Sequence, residues 1–246
     1  MKKPRVYIVT NTNGGVRKST TIAHLTFALR DAGQDPIIVS LDTNATLESF
    51  LEKDTEVIKW DVNDSDDSYE GLQVVMDAAE ESGQPVVIDL AAKGGQTQGV
   101  HTILETYILN ECEVISVVPV IPADKGPEGA LEALRIINPN KWLMVQYGTD
   151  KRQKWYDRFD PFQKLLDMNP AYIIKPKELG AAQIDTLVGE SRPLNKVGEY
   201  ATMGSSDARK FGGHINFWND LKGQYHAAFQ KLNLKDNVEK CKATAT

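Results

Sequence analysis

Short runs of apolar, often β-branched residues alternate along this chain with longer segments whose apolar residues recur every three to four positions. Arg5-Val6-Tyr7-Ile8-Val9-Thr10 and Pro36-Ile37-Ile38-Val39-Ser40-Leu41 are apolar almost throughout, as strands buried on both faces are. Between them, residues 20–32 set Ile22, Leu25, Phe27, Ala28 and Leu29 at helical spacing, and Gly33 supplies a stop. A strand, helix and strand of these lengths predict a right-handed crossover.

The alternation continues downstream. Val86-Val87-Ile88-Asp89-Leu90 and Val114-Ile115-Ser116-Val117-Val118 read as strands, with a helix expected over 100–109 between them. A helix over 128–137 follows, then strands at Trp142–Tyr147 and Ala171–Ile174. The last helix, about 216–232, lines up Phe217, Trp218, Leu221, Tyr225, Ala228, Phe229 and Leu232 on one stripe. Its polar face is not strongly cationic, so a helix docked on the core is expected rather than a membrane-binding one. The pattern as a whole predicts an α/β fold: a mostly parallel, twisted sheet with helices on both faces, in three layers.

A length of 246 residues suits one sizeable domain, and no Pro/Gly/Ser-rich linker or charge run divides it. Residues 1–236 are therefore read as one domain and 237–246 as a loose tail. No apolar stretch approaches the roughly 20 residues of a membrane span, and nothing at the N-terminus resembles a signal peptide. Cys112 and Cys241 lie far apart without metal-ligand spacing, which predicts a reduced, cytoplasmic protein. A net charge of −6 argues against a surface coated for tight duplex binding. It leaves room for weak, non-specific DNA contact at Lys151, Arg152 and Lys154 near Trp155, although a solvated helix face accounts for those charges as well. His24, His101, His214 and His226 are scattered and suggest no ligand set.

Candidate chemistry concentrates between the first strand and the first helix. Asn13-Gly14-Gly15-Val16-Arg17-Lys18-Ser19-Thr20 places two glycines in the turn and a lysine and two hydroxyls at the helix start. Backbone N–H groups in such a turn converge on an anion, and the helix N-terminus adds partial positive charge. Lys18 can then reach the β- and γ-phosphates of a nucleotide, and the Ser19 hydroxyl can ligate Mg²⁺. The strict motif G-x-x-x-x-G-K-[ST] fails twice, at Thr12 and at Arg17. A residue other than glycine at position 17 is sterically easy if its backbone is already helical.

The segment resembles the deviant Walker A motif, x-K-G-G-x-G-K-[ST], of the ParA/MinD family of P-loop ATPases. Gly14, Gly15, Lys18, Ser19 and Thr20 match it, whereas Asn13 replaces the family's signature lysine and Arg17 its third glycine. Ser40-Leu41-Asp42-Thr43-Asn44-Ala45-Thr46 is similar to the segment that carries the family's catalytic aspartate. Val86–Leu90 with Gly94-Gly95 resembles its Walker B strand and switch. Val118–Pro122, Ile174–Ala181 and Gly189–Leu194 resemble its later proline turns.

The resemblance implies a set of roles. Residues 13–20 hold ATP, with Lys18 and Asp42 catalytic. Asp42 positions the attacking water, and Mg²⁺ is held by Ser19 and, through water, by Asp89. Gln146 stands where related proteins often read adenine with an asparagine, and Pro176 lies in the turn near the base. It also implies a homodimer formed on ATP, a DNA-bound adaptor as partner, and a plasmid role of the StbB type in partition or conjugation. The family's lysine reaches across that dimer to the partner's nucleotide. Asn13 is short and neutral, so hydrolysis is expected to be slow, altered or absent, with Arg17 as a partial substitute. Two other readings share the loop: a dethiobiotin synthetase-like enzyme, which needs a substrate pocket the sequence does not locate, and a scaffold that binds nucleotide without hydrolysing it.

Overall fold

A computed structural model describes residues 4–41, 47–52, 54–59, 75–90, 112–177 and 205–232, the side chains of 149–151 and 205–212 excepted. Seven strands, β1 Arg5–Val9, β2 Ile37–Ser40, β3 Val57–Lys59, β4 Val86–Asp89, β5 Glu113–Val120, β6 Lys141–Gln146 and β7 Tyr172–Ile174, form one sheet in the order β3-β2-β4-β1-β5-β6-β7. Every pairing is parallel. The helices are α1 Lys18–Asp31, α2 Lys125–Ile137, α3 Thr149–Tyr156, α4 Asp160–Asp167 and α5 Ser205–Lys231, and residues 75–82 are also helical.

The period of two along each strand sorts the core into two faces. Tyr7 and Val9 of β1, Ile115 and Val117 of β5, and Leu143 and Val145 of β6 join α1 and α5 in one cluster. Val6, Ile8 and Val114 turn the other way, into a cluster with Val75, Ala79 and Ile137. On that second face Val118, Val120, Trp142 and Met144 pack with Ala130 and Leu134 of α2 and Phe162 and Leu165 of α4. The result is the expected three-layer α/β architecture.

The aromatic stripe of α5 is buried as expected for a docked helix. Trp218 meets Phe27 of α1 edge-on at 6.2 Å, and Phe229 approaches Tyr7 of β1 at 6.4 Å. His24, on α1, is buried against Phe217 at 5.8 Å. Burial, with Arg17 as a smaller influence, lowers its pKa to about 3, so His24 is a neutral core residue. None of the described helices is long and apolar enough to cross a membrane.

Some elements differ from the sequence pattern for identifiable reasons. α2 begins at Lys125, three residues before the expected 128, because Pro127 falls in the first turn, where its missing N–H costs nothing. β3 is a three-residue edge strand, too short for a periodic signal. α5 starts at 205 rather than about 216. Cys112, just before β5, is buried. Asp42, Gly94-Gly95, the segment 100–109 expected to be helical, residues 189–194 and the expected tail over 237–246 lie outside the described residues.

Candidate phosphate-binding loop

β1 lies at the middle of the sheet, and the chain leaves its C-terminal end directly into the glycine turn. Thr10 still pairs with β5, its N–H donating to Val117 O at 3.1 Å. Residues 11–17 then cross the sheet edge and α1 begins at Lys18. Asp89 ends β4 alongside Val9, and Ser40 ends β2 alongside Asp89. Both side chains are buried, so the carboxylate lies at the C-terminal edge, one strand from the loop. Open parallel sheets place ligands outside this edge.

Within the loop, Gly14 and Gly15 are exposed, Val16 is buried, and Ser19 and Thr20 are half-buried in the first turn of α1. Gly15 has φ +71°, in the left-handed region. Lys18 is only 8% exposed. Its ammonium donates to Asn11 O at 3.3 Å and Asn13 O at 3.1 Å, which holds it underneath the turn.

Arg17 corrects an expectation. Its backbone is left-handed, with φ 68° and ψ 34°, not right-handed helical. The position thus does require the conformation that glycine adopts without penalty, and an L-residue there costs roughly 1–2 kcal/mol. The arginine side chain recovers part of this by lying over the Tyr147 ring, with its guanidinium carbon 4.9 Å from the centroid. Tyr147 is itself buried and shares a 2.9 Å hydrogen bond with Thr21 of α1, and burial raises its pKa to about 12. Arg17→Gly is therefore expected to unfold at a higher urea concentration than Arg17→Ala, a difference of about 1 kcal/mol, because alanine loses the ring contact and keeps the strain.

The loop is also fastened to α2, more than 100 residues away in the chain. Asn11 Nδ2 donates to Pro119 O at 3.0 Å and Gly126 O at 2.9 Å, and Asn13 Nδ2 to Lys125 O at 2.7 Å. Thr12 N–H reaches Gly129 O at 3.3 Å, and the Thr12 hydroxyl bonds Glu132 Oε2 at 2.6 Å. Finally, Lys125 Nζ donates to Gly14 O at 3.0 Å. Such close approach needs glycine at 129, where a Cβ would stand 2.5 Å from Asn13 Nδ2. Asn13 thus has a definite job, which is to tie the turn to the first turn of α2.

Gln146 ends β6 and is buried, only 1% exposed. Its Nε2 has no hydrogen-bond partner among the described residues. β6 lies two strands from β1, or about 10 Å across the sheet, and β7 three, about 14 Å. Pro176, two residues beyond β7, is buried, and the backbone beside it is clamped by Gln224 of α5, which accepts from Lys175 N–H and donates to Lys175 O. Arg152 and Lys154 are exposed, but the neighbouring Trp155 ring stacks on Phe159 at 4.5 Å.

No protein-family model matches the chain, and no curated protein is significantly similar to it. Solved structures are. The MinC:MinD cell division protein complex of Aquifex aeolicus matches 91% of this chain and 96% of the chain compared, at a TM-score of 0.56 and 12% identity. Chloroplast FtsY from Physcomitrella patens matches over 78% of this chain and 66% of its own, at 0.50 and 16%. The fold is that of a P-loop NTPase. FtsY from Mycoplasma mycoides is also similar, at a TM-score of 0.42 and 16% identity over 58% of this chain, which spans about half (52%) of it.

Within the P-loop NTPase fold, the residues present suit a magnesium nucleotide. The turn offers exposed backbone at Gly14 and Gly15 above a buried ammonium, and the donors nearby are hard oxygens from Ser19, Thr20 and Asp89. No group of three or more His, Cys, Asp or Glu among the described residues makes a closed protein metal site. Mg²⁺ characteristically takes few protein ligands and is completed by phosphate and water.

Proposed function

We propose that this chain is an ATP-binding switch of the ParA/MinD type, with slow hydrolysis. The observation that carries the reading is the buried Lys18 ammonium held under an exposed glycine turn, with a buried carboxylate, Asp89, ending the neighbouring strand. Residues 13–20 would hold the phosphates, Ser19 and Asp89 the Mg²⁺ shell, and Gln146 and Pro176 the base. Bound Mg²⁺ supplies charge neutralisation across the phosphates. Asp42 would orient water, while Lys18 and the loop amides stabilise negative charge.

Asn13 supports slow turnover. Its amide is committed to Lys125 O and carries no charge to place on a transferring phosphoryl group. A switch uses the lifetime of its triphosphate state as its signal, so low turnover suits this role. The partner would be a second copy of the chain, and beyond it a DNA-bound adaptor of a plasmid partition or conjugation system of the StbB type. The stacked Trp155 weakens the case for direct DNA contact at Arg152 and Lys154, since bases bind such patches through free aromatic faces.

Sedimentation of the purified chain with ADP·Mg²⁺ or ATP·Mg²⁺, with phosphate release counted on the same samples, tests the reading. Dimer with ATP, monomer with ADP and turnover on the order of 10⁻³ s⁻¹, the range of a loop lacking a transition-state cation, is the expected result. Turnover that begins only on adding a small-molecule substrate would favour a metabolic enzyme instead.

A further inference from the structure

A second ammonium group faces the glycine turn, from a different element. Lys125 opens α2, and its Nζ donates to Gly14 O at 3.0 Å. The same atom lies 3.4 Å from where a Cβ on Gly15 would stand. Lys125, Gly14 and Gly15 are all exposed, whereas Lys18 is buried on the inner side of the turn. The loop is thus bracketed by two lysines, one beneath it and one on its outer rim.

The backbone around Lys125 is fixed. Asn13 Nδ2 holds Lys125 O at 2.7 Å, Asn11 Nδ2 holds Gly126 O at 2.9 Å, and Thr12 N–H holds Gly129 O at 3.3 Å. Gly129 leaves no space in which α2 could approach the loop with a side chain between them. The four-carbon stem of Lys125 is the flexible part of an otherwise rigid mount. Among the described residues, no ion pair includes Lys125. Glu132, on the same helix, bonds the Thr12 hydroxyl instead.

A carbonyl is a weak partner for an ammonium compared with a phosphate oxygen. We propose that Lys125 reads the terminal phosphate of a nucleoside triphosphate bound to its own chain's loop, exchanging Gly14 O for that group. It thereby makes the site discriminate triphosphate from diphosphate. Asn13 serves this as the positioning residue that anchors the helix turn bearing the lysine. The proposal rests on the nucleotide reading given above and adds to it a residue outside the loop motif.

Binding of ATP·Mg²⁺ and ADP·Mg²⁺ to the full chain tests it, with Lys125→Gln, Lys125→Met, Lys125→Arg and Lys18→Ala compared to the unaltered protein. Neutral substitution at 125 should weaken ATP about tenfold and ADP less than threefold, and arginine should restore most of the ATP affinity. Thermal unfolding of the three Lys125 variants should stay near that of the unaltered chain, since that side chain is exposed. Equal losses for the two nucleotides, unrescued by arginine, would make Lys125 a structural latch and overturn the proposal. Unchanged ATP affinity would overturn it too, and leave the nucleotide reading intact as long as Lys18→Ala abolishes binding. Failure of the unaltered chain to bind either nucleotide would overturn both.

Discussion

Lys18→Ala should reduce ATP affinity by about 100-fold or more, with little change in fold. The expectation follows from position. The ammonium is buried, aimed at the inner face of the glycine turn, and held there by two loop carbonyls at 3.3 and 3.1 Å. A charge-assisted contact of this kind is worth up to about 3 kcal/mol, which corresponds to that factor in binding. The carbonyls of Asn11 and Asn13 lose a donor in the variant, so a stability loss of about 1 kcal/mol is expected alongside. Titration calorimetry with ATP·Mg²⁺, with circular dichroism as the control for folding, reads both quantities. Undiminished ATP binding by a folded Lys18→Ala chain would show that the ligand, if any, lies elsewhere.

Gly129→Ala should damage both stability and the site, although position 129 lies more than 100 residues from the loop in sequence. The new methyl would collide with Asn11 Oδ1 and stand 2.5 Å from Asn13 Nδ2, the two amides that tie the loop to α2. Both amides are engaged, and Asn11 is buried, so the loop must shift. Overpacking of this kind costs about 1–3 kcal/mol. Moving the turn should also lower nucleotide affinity, because phosphate binding depends on converging backbone N–H groups. The control is Gly223→Ala on α5, where a Cβ meets nothing within 4 Å. Alanine there should be neutral or stabilising by up to about 1 kcal/mol, on helix propensity. Urea midpoints for the two variants should therefore move in opposite directions; a common direction would show that the loop–helix fit is not what matters.

The parts of the molecule legible in the sequence are those with local signals. β1, β2, β4, β5 and β6 are continuous apolar runs because a parallel sheet buries both faces, and each was recognisable within a residue or two. The turn at 13–20 was legible because strand, glycines, lysine and helix follow one another without a gap. What joins it to the rest was not. Asn11 and Asn13 meet Gly126, Gly129 and Lys125 across more than 100 residues, and neither an asparagine in a loop nor a glycine in a helix announces its partner. A clue did exist at α2: two glycines and a proline at 126, 127 and 129 are poor helix formers, and their presence in a helix implies a packing reason. The backbone of Arg17 was hidden from the sequence for a related cause. The family pattern has glycine at that position, and the left-handed backbone explains why. The arginine offsets part of that cost against Tyr147, whose place beside it is set by the order of strands.

The proposed dependence of this molecule's state on the terminal phosphate is tested most directly by sedimentation velocity with ADP·Mg²⁺ and then ATP·Mg²⁺. A monomer in ADP that becomes a dimer in ATP, and stays one for many minutes because hydrolysis is slow, is the predicted result. The same sedimentation coefficient in both nucleotides, at concentrations that saturate the site, would contradict it.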